Sequence, residues 1–154
     1  MGGCLPCSAN CARCPTASVC NLCMDGYFLN TLTNQCTSNC PNGYYADAAS
    51  KVCMVCSPAC GTCVTNNYTC ITCKDIGSVK HYKFGNTCVT RCPYLNYFQN
   101  EPARRCEACK PACKICINAI DDCIVCNPGS VILGRECLNS CPLGYYITVI
   151  GTCF

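Results

Sequence analysis

The sequence predicts a small disulfide-rich fold, an elongated tandem array of short β-hairpins with little or no helix. Three observations carry that expectation: 25 cysteines in 154 residues, a cysteine pattern that returns about every fifty residues, and too few large apolar side chains for an ordinary core.

A cysteine at about one residue in six is the composition of a disulfide scaffold. The 51% hydrophobic fraction counts those cysteines, and the chain has no Trp and four Phe; without the cysteines about 35% of the residues are apolar. Small units that cannot bury enough surface need covalent staples, which persist only where cytosolic reductants do not reach. An extracellular or cell-surface location is therefore expected. The opening Met1-Gly2-Gly3-Cys4 has no basic segment followed by an apolar run, so it does not read as a signal peptide. Pro6 stands where an N-myristoylation motif wants Ser or Thr. With no apolar stretch long enough to cross a bilayer, no membrane span is expected, and no nucleic-acid partner.

The repeats follow from laying the cysteines under one another. The first unit, residues 4–53, runs Cys7, Cys11, Cys14, Cys20, Cys23, Cys36, Cys40, Cys53. The second, 54–106, runs Cys56, Cys60, Cys63, Cys70, Cys73, Cys88, Cys92, Cys106, and the third, 107–154, runs Cys109, Cys113, Cys116, Cys123, Cys126, Cys137, Cys141, Cys153. Between cysteines the units also agree, as CTSNCPNGYY from Cys36, CVTRCPYLNYF from Cys88 and CLNSCPLGYY from Cys137.

At these residues, over nearly the whole chain, the sequence resembles furin-like repeats, the cysteine-rich modules of R-spondins, furin-type proteases and growth-factor receptors. Eight cysteines allow roughly a hundred pairings, and spacing alone does not choose among them. The resemblance implies first-to-third, second-to-fourth, fifth-to-sixth and seventh-to-eighth bridges. In unit one these are Cys7–Cys14, Cys11–Cys20, Cys23–Cys36 and Cys40–Cys53. Unit two takes Cys56–Cys63, Cys60–Cys70, Cys73–Cys88 and Cys92–Cys106, and unit three Cys109–Cys116, Cys113–Cys123, Cys126–Cys137 and Cys141–Cys153. Short β-prone runs lie between the fifth and sixth cysteines, at Tyr27-Phe28-Leu29, Val79 to Phe84 and Val131-Ile132-Leu133. Each bridge is expected to close the base of such a hairpin. Cys4 aligns with the eighth cysteines Cys53 and Cys106, so it is unpaired within the chain, and both ends are expected to be cut from a longer array.

Other chemistry is weaker. Nine C-x-x-C pairs would suit zinc knuckles, yet the regular C-x3-C steps between them are not something a four-ligand site requires. A dithiol oxidoreductase would place one such pair at a helix N-terminus, on a scaffold with helical periodicity that is missing here. His81 is the one histidine and its context, Lys80-His81-Tyr82, reads as an exposed hairpin, so no catalytic residue is expected. The acidic residues are scattered, too sparse for a calcium cage. No metal and no cofactor are implied. The basic surplus lies in unit two, at Lys74, Lys80, Lys83, Arg91, Arg104 and Arg105, where it is either scattered solvation or a face for a glycan or an acidic partner. Asn67-Tyr68-Thr69 is a glycosylation sequon on an expected loop. In Gly26-Tyr27, Gly43-Tyr44 and Gly144-Tyr145 the aromatic is expected to cover a neighbouring bridge.

The leading expectation of function is an extracellular structural protein of a cell surface or fibre, not an enzyme. It would work through self-association or through neighbouring repeats of a longer chain. The alternatives are a receptor or secreted-ligand module that binds a protein or glycan, and a zinc-binding cysteine protein. The loops that carry receptor contacts in R-spondins read PTASV, VTNNYT and INAIDD here, so that activity does not carry over.

Overall fold

Strands of two to four residues are too short to hold as isolated ribbons in water, and the chain uses them in sets tied by cystines. The computed structural model describes residues 3–154; Met1 and Gly2, on which the acylation reading turned, lie outside the described residues. Among the described residues no helix forms, so none is long and apolar enough to cross a membrane.

In the first repeat β1 (Cys11–Arg13) pairs antiparallel with β2 (Leu22–Cys23), and β3 (Phe28–Asn30) with β4 (Gln35–Thr37). A last hairpin joins β5 (Tyr44–Asp47) to β6 (Val52–Val55). A parallel bridge, Leu29 to Val52, makes the last four strands one sheet in the order β4-β3-β6-β5. The second repeat repeats the scheme with β7 (Cys60–Cys63), β8 (Cys70–Cys73), β9 (Tyr82–Phe84), β10 (Thr87–Val89), β11 (Tyr97–Asn100) and β12 (Arg105–Ala108). Its parallel bridge is Lys83 to Arg105. The third repeat has β13 (Cys113–Cys116) with β14 (Cys123–Cys126) and β15 (Val131–Leu133) with β16 (Glu136–Leu138). Its last hairpin is reduced to the single antiparallel bridge Ile147 to Cys153, and its parallel bridge is Ile132 to Thr152. The fold is the small disulfide-rich array of hairpins that composition and spacing predict.

Backbone contacts group the chain into two compact units, residues up to Ser78 with Gly85–Cys88, and Val79–Phe84 with Val89–Phe154. The core of each is sulfur. Of the buried apolar residues among those described, only Tyr82, Phe98 and Val131 are not cysteines. Three clusters form: Cys11, Cys20 and Cys23; Cys56, Cys60, Cys63 and Cys70; and Phe98 with Cys113, Cys116 and Cys123. Side chains such as Leu22, Ile71, Ile124 and Val125 stay exposed, because strands this short around a cystine core leave no second layer to cover them.

Candidate functional site

Twelve disulfides order the chain. They are Cys7–Cys14, Cys11–Cys20, Cys23–Cys36 and Cys40–Cys53 in the first repeat. The second has Cys56–Cys63, Cys60–Cys70, Cys73–Cys88 and Cys92–Cys106. The third has Cys109–Cys116, Cys113–Cys123, Cys126–Cys137 and Cys141–Cys153. Their Cα separations run from 5.3 Å at Cys60–Cys70 to 5.8 Å at Cys11–Cys20, inside the span a relaxed bridge needs. The fifth-to-sixth bridge does not close a hairpin: Cys23 lies in β2 and Cys36 in β4, so it ties the first ribbon to the next hairpin. Neighbouring bridges touch, with 3.3 Å between the sulfurs of Cys36 and Cys20 and 3.2 Å between those of Cys137 and Cys123.

Those contacts create three groups of three sulfurs: Cys11, Cys20 and Cys36; Cys60, Cys70 and Cys88; and Cys113, Cys123 and Cys137. Each holds one complete bridge plus one sulfur of the next. A metal needs thiolates, and cystine sulfurs have already spent that electron pair on each other, so this donor set does not suit zinc. Cys4 is the free cysteine among the described residues, and it is exposed. Alkylation of unreduced, denatured protein is expected to add one adduct per chain, at Cys4; mass spectrometry showing adducts at any frame cysteine would contradict the bridging.

Junctions between consecutive repeats are built the same way twice. Tyr45 of β5 packs on the cluster of Cys56, Cys60, Cys63 and Cys70, and Phe98 of β11 packs on Cys113, Cys116 and Cys123. In each, the residue two before that aromatic has a positive φ, 86° at Gly43 and 66° at Asn96, which glycine and asparagine adopt most easily. That twist aims a carbonyl at the next repeat. The amide of Cys56 donates to Gly43 at 2.8 Å, and that of Cys109 to Asn96 at 2.8 Å. The aromatic covering the next bridge is therefore the second of the pair, Tyr45, and not Tyr44, because successive residues of a strand face opposite sides. Tyr27 does pack on its own repeat's cluster, whereas Tyr145 is half exposed.

His81 is not on an exposed hairpin. It is 7% exposed, and its Nδ1 lies 3.1 Å from the Val79 carbonyl; with the ring turned back on its own backbone and Tyr82 buried beside it, it has no open face toward a substrate. Surface clefts measure about 240 Å³, lined by Lys110, Asp121 and Glu136 among others, and about 360 Å³ beside Phe98 and Glu101. The first falls below the range typical of small-ligand pockets, about 300–1,000 Å³, and the second lies at its small end.

The basic surplus of the second repeat is partly neutralised in place. Lys80 pairs with Glu101 at 3.2 Å and Arg105 with Glu107 at 2.7 Å, while the Arg104 guanidinium lies 5.0 Å from the centre of the Tyr82 ring. Glu101 accepts the Tyr82 hydroxyl at 2.7 Å and the Gln99 amide at 2.9 Å. Those hydrogen bonds, with that of Lys80, hold its carboxyl down to about 2. A carboxylate depressed in the folded state stabilises the fold above its unfolded value, near 4.3, and that contribution is lost as pH falls toward 2. Thermal stability of the native chain is expected to drop between about pH 4.5 and 2, and the drop to shrink in Glu101→Gln; an unchanged pH profile in that variant would refute it.

The sequon lies between the strands of the β7–β8 ribbon. Asn67 accepts the Ser57 amide on its carbonyl at 2.8 Å, Thr69 donates to the Asn66 side chain at 3.0 Å, and Tyr68 is 67% exposed.

The chain is similar to parts of much longer proteins. It is 35% identical over 117 residues to proprotein convertase subtilisin/kexin type 6 of Rattus norvegicus, covering 75% of this chain and 12% of that protein. It is 30% identical over 149 residues to furin-like protease 2 of Drosophila melanogaster, covering 95% of this chain and 8% of that protein. With cysteine repeat modular protein 2 of Tetrahymena thermophila the identity is 32% over 155 residues, 95% of this chain and 7% of that protein. The three units are furin-like cysteine-rich repeats. No family model matches the chain. These furin-like repeats span 12% or less of the length of each of the three relatives. The junction aromatic was missed because the Gly-Tyr motif drew attention to its first tyrosine. Strand alternation from Gly43 would have pointed to Tyr45.

Proposed function

We propose that the chain is a non-catalytic structural module of an extracellular coat or fibre. The observation supporting this reading is the core: cystines hold each repeat together and one aromatic per junction packs on the cystines of the next, while apolar side chains face outward and are open to lateral contact. An array whose repeats contact only their neighbours lengthens by repetition, which suits a structural part. The matched relatives include proteases, yet this chain spans 12% or less of each of the three compared and its single histidine is buried against Val79, which supports a non-catalytic part. The oxidised cysteines favour a secretory or extracellular setting. In the secreted chain Asn67 carries a glycan on this reading, and Asn67→Gln is expected to lower the mass of the secreted product by one glycan with the disulfide map unchanged; equal masses would contradict it.

Negative-stain microscopy and sedimentation of the secreted chain over a range of concentrations test the structural role. Rods or concentration-dependent assemblies are expected. Compact monomers at every concentration would overturn it.

A further inference from the structure

The third repeat has a cleft whose charge the repeat frame does not require. Ala112, Cys113, Cys123 and Cys137 line it, with Lys110, Asp121 and Glu136. Cys113 and Cys123 are 3% and 2% exposed and form the floor, while the three charged residues stand exposed at the rim. At about 240 Å³ it is smaller than the usual small-molecule pocket, which starts at roughly 300 Å³, and it has room for one long side chain.

The floor recurs in every repeat, as the groups of three sulfurs described above. The strand beside it is also held the same way each time: the amides of Cys20, Cys70 and Cys123 donate to the carbonyls of Asn34, Asn86 and Arg135 at 3.0, 2.8 and 3.0 Å. That bond makes Glu136 the counterpart of Thr87 and Gln35, and the cysteine alignment makes Lys110 and Asp121 the counterparts of Ser57 and Tyr68. The frame therefore folds with neutral residues at these places. Within the third repeat the neighbouring Asp122 is taken by Arg135 at 3.1 Å. Asp121 meets Lys110 at 3.8 Å, too long for a hydrogen bond. Among the described residues the Glu136 side chain makes no ion pair or hydrogen bond. Two carboxylates thus stand against one ammonium at the mouth of an apolar slot.

We propose that this cleft binds an arginine side chain of a partner protein. An arginine has an apolar stem to lie on the cystine floor and a charged head that stays at the rim. Its planar guanidinium is weakly hydrated and presents a fork of donors that a carboxylate accepts two at a time, whereas a lysine brings a compact, strongly hydrated charge. Charge complementarity thus selects a cation, and the shape of the slot selects arginine. Lys110 on the same rim opposes any cation, so one side chain binds weakly and the partner must add further contacts around it. This assignment goes beyond the structural reading and does not depend on it.

The probe is N-acetyl-arginine methylamide, titrated into the isotope-labelled native chain while amide chemical shifts are followed. Saturable shifts are expected at residues 110–113, 121–123 and 135–137, with a dissociation constant of about 1 mM, weakening as salt is raised. The citrulline analogue, of the same shape without the charge, is expected to leave those shifts unmoved, and the lysine analogue to bind several-fold more weakly. Glu136→Gln is expected to weaken arginine binding about tenfold, and Asp25→Asn, the same loss of charge on the first repeat, to leave it unchanged; an unaltered disulfide map shows that each variant is folded. No saturable shift at these residues, or equal binding by Glu136→Gln, overturns the site. Equal binding of the lysine analogue, or the same shifts from N-acetyl-glutamate methylamide, overturns the choice of arginine. Shifts of these residues on raising the concentration of the chain alone would make the occupant a second copy and overturn the assignment to a partner. Each of these failures leaves the structural reading standing.

Discussion

Reduction under native conditions is expected to remove the folded state, not merely loosen it. The bridges close segments whose ends are 7 to 15 residues apart, and in the chain-entropy account each is worth about 3 kcal/mol. Almost nothing else is buried: outside the cysteines the apolar interior is Tyr82, Phe98 and Val131. A phosphine reductant should therefore abolish the β-sheet circular dichroism and open the chain to protease throughout. At the level of one bridge, the double change Cys113→Ala with Cys123→Ala should cost about 3 kcal/mol and uncouple the ribbon of the third repeat. A reduced chain that retained its dichroism and resisted protease would show that the hairpins hold without sulfur.

Phe98→Ala is expected to be the most damaging change outside the cysteines. Its ring is the one large non-cysteine side chain in the cluster with Cys113, Cys116 and Cys123, and truncating a buried phenylalanine costs about 3 kcal/mol or more. The strand carrying it, β11, stays paired with β12 through four residues, so the loss should fall on the third repeat: a lower melting temperature by calorimetry and early cleavage of segments after Ala108. A loss below about 1 kcal/mol would mean that the junction is held by its backbone hydrogen bond, from the Cys109 amide to the Asn96 carbonyl, and not by the ring. Tyr45→Ala, at a half-buried position, should act in the same direction with less effect.

Much of the frame is legible in the cysteines, and the reasons it stops are physical. Spacing gives the period and the β-prone runs that become β3, β9 and β15. It does not give the pairing, and the ribbons illustrate why: Cys60 faces Cys73 across β7 and β8, and Cys63 faces Cys70, yet neither pair is bonded. Proximity along a strand pair is no guide when every candidate partner is also a cysteine. The ribbons themselves were not anticipated, since Cys-Gly-Thr-Cys has too few residues to display an alternation. Nor did a local reading of Lys80-His81-Tyr82 see that the histidine and tyrosine turn inward while the lysine reaches Glu101.

The sulfur core has a consequence for how such a chain can change over time. An ordinary domain constrains dozens of interior positions by shape, so its surface and interior diverge at different rates. Here the interior is written almost wholly in one residue type, and the positions between cysteines answer mainly to turn geometry and to the two junction aromatics. Loop lengths and surface chemistry are free to drift while the frame persists. Kinship among chains of this kind should accordingly be measured by the rhythm of their cysteines, with overall identity a poor clock.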